Sequence, residues 1–286
     1  MIKRTLSLLL LFGLFSAEMV LSATYRFAPL PMQDPERVVR EIQPMLQYLT
    51  DQTGLSFQIV YTESYQDLID RFQAGEVDLT YLGPLPYVEL SSRYPHVDPL
   101  VVFREPDGEA LYTCALVTFA GAPIAQGAWS QQTFALTQPL STCGFLATSH
   151  LLERLGVSLG EMEYCYVNRH DEVALSVIRG DFSVGGLKTQ IARNYVHLGL
   201  EVVEQTDYFP GFALVANTTT LSVEHQRLIQ ETLLAVQPID QPEQAAIVAG
   251  WGPSLRYGTA IVMDENYAPV RALRSETPIP MECQQP

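Results

Sequence analysis

Ser141-Thr142-Cys143-Gly144-Phe145-Leu146 closes a β-like run with small polar residues and opens an amphipathic stretch. A helix beginning there presents unpaired backbone N–H groups and the positive end of its macrodipole, and hydroxyls or a thiol at the same point add donors. The chemistry this permits is the holding of an anion. Ser and Thr are also the commonest N-caps, so by itself the hexapeptide reads first as a plain helix start. Phenols are rigid donors and the charge of a His at a helix start follows its surroundings, so either type could complete such a site. Taken singly, Tyr65 reads as helix-face packing, Tyr112 as a strand aromatic, and His170 as a surface residue beside Asp171.

The elements that must carry these residues follow from spacing. Tyr25 to Pro31 reads as a strand; Asp34-Pro35 then supplies an N-cap and a Pro at the first helical position, and Val38, Val39, Ile42, Leu46 and Leu49 recur at helical spacing up to Gly54. Phe57 to Tyr61 is a second strand. Ser64 with Asp67 resembles a capping box, with Tyr65, Leu68, Ile69 and Phe72 on one helix face, and Val77 to Leu82 is a third strand stopped by Gly83-Pro84. This β-α-β-α-β order implies a parallel, doubly wound sheet with ligand-facing loops at the carboxyl ends of its strands. Leu100 to Arg104 is a further strand, and Glu105-Pro106-Asp107-Gly108-Glu109 breaks the pattern. Beyond it the pattern restarts: strands at Tyr112 to Phe119, Thr133 to Thr137, Tyr164 to Val167 and Phe182 to Leu187, helices at Cys143 to Leu155 and Asp171 to Arg179. A second breaker with Pro210-Gly211 precedes an extended Ala213 to Ala216. Glu224 to Val236 and Glu243 to Ala249 read as helices, and the Pro-rich end from Pro278 as a loose tail.

The reading is therefore an α/β chain of two lobes, each a doubly wound and mostly parallel sheet, joined by two hinge crossings. Residues 24–106 with 211–286 form the first lobe and residues 107–210 the second. Such a chain can close on a small ligand.

Residues 1–23 carry Lys3 and Arg4, an apolar run from Leu6 to Phe15 and small residues at Ser22 and Ala23, the layout of a secretory signal cleaved after Ala23, with Ala17 as the alternative point. The expected location is the periplasm. The formal net charge is −15, and losing Lys3, Arg4 and Glu18 makes it one unit more negative. That argues against nucleic acid and anionic membranes as partners, but not against a buried anion held by local N–H groups. Cys114, Cys143, Cys165 and Cys283 follow no CxxC spacing, so no metal site is expected, and in an exported chain they allow up to two disulfides.

With these pieces in order, the chain resembles the periplasmic phosphate, phosphite and phosphonate-binding proteins of ABC importers, which have a type II periplasmic binding fold. The resemblance rests on Ser64-Tyr65, the run from Gly75 to Pro84, Tyr112, the hexapeptide, His170 heading a helix that ends at Gly180, Phe209-Pro210-Gly211, and Tyr267-Ala268-Pro269-Val270-Arg271. It implies that Tyr65, Tyr112, Ser141, Thr142, Cys143 and His170 hold the oxyanion, with Tyr81, Gly83, Cys114, Gln190 and Phe212 on the cleft wall. It implies no cofactor, a monomer, and a permease of an ABC importer as partner. The alternative partner is a membrane sensor kinase.

Two departures from that pattern bear on the ligand. Positions where relatives that take aminoethylphosphonate carry acids fall near Gln190 and Phe212, so a ligand ammonium lacks its ion-pair partner there and a small inorganic or short alkyl oxyanion fits better. Cys143 stands where a serine is usual, and Cys114 lies two residues after Tyr112. Three readings are open: a structural disulfide, in which either could also pair with Cys165; separate buried thiols; or a soft-ligand site for a trivalent arsenic species. A thiol nucleophile at Cys143 with His170 as base is the catalytic reading, but no nucleophile elbow or paired carboxylates accompany it, and the chain is read as a non-enzyme.

Overall fold

Strand β1 (Thr24–Pro29) leads through Asp34 into helix α1 (Pro35–Thr53), and the causes are local. The Asp34 carboxylate accepts from Arg37 N–H at 3.2 Å, Pro35 sits in the first turn where no N–H is required, and Gly54 ends the helix at φ 72°. The computed structural model describes residues 23–122, 124–125 and 127–284. Apart from Ala23, the expected secretory signal lies outside the described residues.

The first lobe continues with β2 (Ser56–Ile59), α2 (Tyr65–Gln73), β3 (Leu79–Leu82), α3 (Pro84–Arg93) and β4 (Val97–Phe103). The chain then crosses through β5 (Leu111–Tyr112) to β6 (Cys114–Phe119) and β7 (Thr133–Leu136). A π-wound turn over Thr142–Leu146 precedes α4 (Ala147–Arg154), and β8 (Glu163–Tyr166), α5 (His170–Arg179), β9 (Val184–Lys188), α6 (Thr189–Arg193) and β10 (Leu200–Gln205) complete the second lobe. The return runs through β11 (Phe209–Pro210) into β12 (Ala213–Asn217), followed by α7 (Val223–Leu234), α8 (Ala245–Val248), β13 (Thr259–Ala260) and α9 (Ala268–Glu276).

The first lobe's sheet has the order β13-β4-β12-β3-β1-β2 and the second's β10-β6-β9-β7-β8, while β5 and β11 pair antiparallel as a ribbon on the crossings. β1 runs parallel to β2 and β3, and β7 parallel to β8 and β9. β12 opposes both β3 and β4, and β6 opposes both β9 and β10. The reason is topological. A strand arriving from the other lobe starts at the cleft edge, where the parallel strands end, so it must run against them. β6 and β12 are the two strands that the crossings deliver.

One buried apolar cluster fills the first lobe and extends across the cleft to Tyr112, Cys114, Cys143 and Leu146. Two others lie on opposite faces of the second sheet, and β6 shows why: Ala115 and Val117 face one, Leu116 the other. Gly185 and Gly186 let the helices approach that sheet closely. A Cβ on Gly185 would meet Val173 Cγ1 at 2.6 Å, and one on Gly186 would meet Thr148 Oγ1 at 2.0 Å.

Three expectations are corrected. The strand expected over Tyr112 to Phe119 is broken at Thr113, because Tyr112 pairs with Phe209 in the hinge ribbon while Cys114 pairs with Lys188 in the second sheet. The helix expected from Cys143 becomes regular only at Ala147, after a π-wound turn in which Gly144 has non-helical dihedrals. The end of the chain, expected as a loose tail of the first lobe, is fastened to the second. Helix α9 is tied to α3 by Arg274 Nε donating to Glu89 at 2.5 Å. The tail then crosses over: Gln284 forms an antiparallel bridge with Tyr164, Tyr166 Oη donates to the Pro280 carbonyl at 2.6 Å, and Cys283 is bonded to Cys165. Backbone pairing and a covalent bond hold this tail, and apolar periodicity signals neither.

The Cys165–Cys283 bridge joins residues 118 apart, a long loop whose closure restricts the unfolded chain strongly. Cys283→Ser should therefore lower the unfolding free energy in denaturant titration by about 2–4 kcal/mol. Native protein without reductant should show no thiol reactive toward maleimide; labelling of Cys165 or Cys283 there would contradict the staple.

Candidate functional site

Four helix starts face one space between the lobes. Tyr65 begins α2 behind Ser64, whose Oγ accepts from Asp67 N–H at 3.0 Å, and Tyr65 N–H donates across the cleft to Gln138 Oε1 at 2.9 Å. Gly83 caps α3, where Pro84 and Pro86 carry no N–H; Leu85 N–H between them donates across the cleft to Thr142 Oγ1 at 2.9 Å. The π-wound turn brings the N–H groups of Thr142 and Cys143, which have no protein acceptor among the described residues. His170 begins α5, and its N–H donates to the Met32 carbonyl at 3.0 Å, another bond between the lobes. Together these ends place several partial positive charges around one point.

The space they enclose is a cavity of about 10 Å³ lined by Tyr65, Gly83, Tyr112, Ser141, Thr142, Cys143, His170 and Phe212, with Leu30 and Pro86. It admits about one water-sized sphere, so the lobes stand closed on it. Tyr65 Oη lies against the Ser141 hydroxyl. Tyr112 Oη is buried near the Thr142 hydroxyl but has no hydrogen-bond partner of adequate geometry. Burial raises both phenols above the usual range, so each remains a donor. Thr137 Oγ1 is a second buried hydroxyl without a partner, and it lies where a Cβ on Gly144 would come within 2.8 Å.

His170 is held as a neutral ring. Its Nδ1 accepts from Lys188 N–H at 3.1 Å, which leaves the ring proton on Nε2 as a donor. Burial, and then the Lys188 charge, lowers its pKa to about 3.

An aromatic wall bounds the cavity on the hinge side. Phe212 stacks on Tyr81 at 5.2 Å and 22°, tilts against Tyr112 at 5.3 Å, and leaves no room for a side chain at Gly83, where a Cβ would lie 3.0 Å from its ring. Behind that wall stands Lys188, whose Nζ is 2.5 Å from Glu105 Oε1 and 4.7 Å from the Phe212 ring centroid. A second, larger cavity of about 280 Å³ opens beside Glu105, Tyr112 and Gln190.

Tyr65, Tyr112, Ser141, Thr142, Cys143 and His170, all expected from the sequence, thus meet on one cavity, and Gly83 and Phe212 join them on its wall. Tyr81 contributes from behind Phe212, and Gln190 lines the larger cavity instead. Cys114 is bonded to Cys143, so neither sulfur is a thiolate for a soft ligand or a nucleophile, and Cys143 serves the cavity through its backbone. Sequence reasoning missed Gln138, Leu85 N–H, Glu105 and Lys188. Of these only Lys188 carried a signal: it is the sole lysine after Lys3, placed at the end of a strand.

The neutral ring has a pH signature. An unfolded His titrates near 6.5 while the folded ring stays neutral down to about 3, so the stability contributed by His170 is complete above pH ~6.5 and is lost as pH falls toward 3. His170→Gln keeps a neutral donor that does not titrate. Between those pH values the wild type should lose a few kcal/mol more than this variant in urea titrations; parallel pH profiles would show that His170 is not the group responsible.

A family model described as an ABC transporter, phosphonate, periplasmic substrate-binding protein matches residues 27–267. The phosphate-import protein PhnD of Mycolicibacterium smegmatis is 25% identical over 212 residues, spanning 68% of this chain and 66%, just under two thirds, of that relative. Among solved structures, PhnD1 from Prochlorococcus marinus in complex with methylphosphonate is similar at a TM-score of 0.76 and 16% identity, over 88% of this chain and 97% of that one. A binding protein component of an ABC phosphonate transporter from Pseudomonas aeruginosa is similar at 0.74 and 17%, over 88% and 86%. These structural likenesses establish the two-lobe type II periplasmic binding fold. With the family match spanning nearly all of both lobes, the chain belongs to the periplasmic substrate-binding proteins of ABC phosphonate transporters.

Proposed function

We propose that the protein captures a small phosphate-like or phosphonate-like oxyanion between its lobes and delivers it to the permease of an ABC importer. It is exported to the periplasm by the signal segment ending at Ala23. The observation that carries this reading is the convergence of four helix starts and the unpaired Tyr112 hydroxyl on one interlobe cavity. A tetrahedral oxyanion needs several convergent donors, and N–H groups, phenols and a neutral imidazole supply them without net charge. The acidity of the chain is no obstacle, because a buried ion senses the nearest dipoles first.

The cavity is smaller than such an ion, so binding requires the lobes to part and reclose. Parting breaks the cross-cleft bonds at Tyr65 N–H, Leu85 N–H and His170 N–H, and that from Gln138 Nε2 to the Pro31 carbonyl. On reclosing, ligand oxygens take the unpaired donors, and a closed two-lobe surface is what a permease can distinguish from an open one.

Thermal melts and calorimetry against phosphate, phosphite, methylphosphonate, sulfate and arsenate test the reading. A bound oxyanion at about 1,000 times its dissociation constant stabilises the fold by roughly 4 kcal/mol; no shift with any of them would remove the proposal. Tyr112→Phe separates binding from folding. It should weaken the oxyanion about tenfold or more, through one lost charge-assisted hydrogen bond, without lowering the ligand-free melting temperature, since the hydroxyl has no partner in the protein.

A further inference from the structure

Glu105, Tyr112 and Phe212 stand on the two crossings and together make a complement to an alkylammonium ion: a carboxylate flanked by two aromatic faces. The chain fills this cage itself. Lys188 Nζ lies 2.5 Å from Glu105 Oε1, 5.1 Å from the Tyr112 ring centroid and 4.7 Å from that of Phe212, and its side chain is only 2% exposed. Lys188 is also the only lysine of the chain after Lys3.

The cage shares residues with both cavities. Tyr112 and Phe212 line the small cavity, while Tyr112 and Glu105 line the larger one that opens beside it. Tyr112 is common to both linings, so a substituent leaving the small cavity on that side would pass Tyr112 toward Glu105, with the Lys188 ammonium against the Tyr112 and Phe212 rings. We infer that Lys188 is a specificity-determining residue: its ammonium occupies the cage, so the cleft takes inorganic oxyanions and phosphonates with a short uncharged substituent and rejects those bearing an amine. An incoming ammonium would put two cations beside one buried carboxylate, or would force Lys188 to stay buried without its partner.

This inference rests on the oxyanion reading above, and the experiment separates the two. Ethylphosphonate and aminomethylphosphonate have the same number of heavy atoms and differ by an amine, so calorimetry with this pair isolates the charge. The wild type should prefer ethylphosphonate by about 100-fold or more, as expected for leaving one buried charge unpaired. In Lys188→Met, and in Lys188→Gln run in parallel, Glu105 becomes free to pair with the ligand amine and the preference should fall at least about tenfold. Adding Glu105→Gln to Lys188→Met should restore the preference for ethylphosphonate. Wild-type affinities for the two ligands within about threefold of each other would overturn the role of Lys188 whatever the variants do. A preference unchanged in whichever lysine variants melt cooperatively would overturn it as well. Binding of no oxyanion at all would instead overturn the oxyanion reading, and this inference with it.

Discussion

Buried N–H groups must be hydrogen bonded, and this chain aims the starts of four helices into the space between its lobes. Much else follows from that constraint. At the start of α3 two donors are already removed by Pro84 and Pro86, and the N–H groups of Tyr65 and Leu85 are satisfied by oxygens of the other lobe, Gln138 Oε1 and Thr142 Oγ1. The closed arrangement is thus held by helix starts that surround the same space in which an anion would sit. Closure uses the N–H groups of Tyr65, Leu85 and His170, while the unpaired N–H groups of Thr142 and Cys143 and the Tyr112 hydroxyl are left for recognition.

Keeping those starts in place requires a rigid floor. The Cys114–Cys143 bridge ties the π-wound turn to the strand that enters the second lobe, and Gly185 and Gly186 let α4 and α5 settle close on the sheet beneath. The hinge is reinforced differently. Glu105, Lys188, Tyr112 and Phe212 form a buried ion pair against aromatic faces, and Lys188 N–H sets the tautomer of His170. The residue whose ammonium stands behind the wall of the site therefore orients, through its backbone, a donor in front of it. The tail stapled through Cys283 adds a third passage between lobes that otherwise share two crossings.

Local elements were legible because their causes are local. Asp34-Pro35 and Gly54 bound α1, Ser64 caps α2, and His170 to Gly180 bound α5, each within a residue of where caps and apolar spacing put them. The six site residues were legible only in register with a family; taken singly, Tyr65 or Tyr112 is indistinguishable from a packing aromatic. The regular helix at Cys143 was not legible because its first turn is π-wound, with non-helical dihedrals at Gly144, and the strand after Leu111 because Tyr112 and Cys114 belong to different sheets.

By itself, then, the sequence determined the order of strands and helices, the two breakers that become crossings, and the residue types available at each cleft-facing start, all of which depend on neighbours a few positions apart. Only the tertiary structure decided which partners those residues have. Leu85 with Thr142, Tyr65 with Gln138, Glu105 with Lys188 and Cys165 with Cys283 are separated by 57, 73, 83 and 118 positions. Hydrogen bonds and ion pairs act over a few ångströms of space and leave no periodic trace along the chain, so such pairings exist only once the lobes are folded and closed.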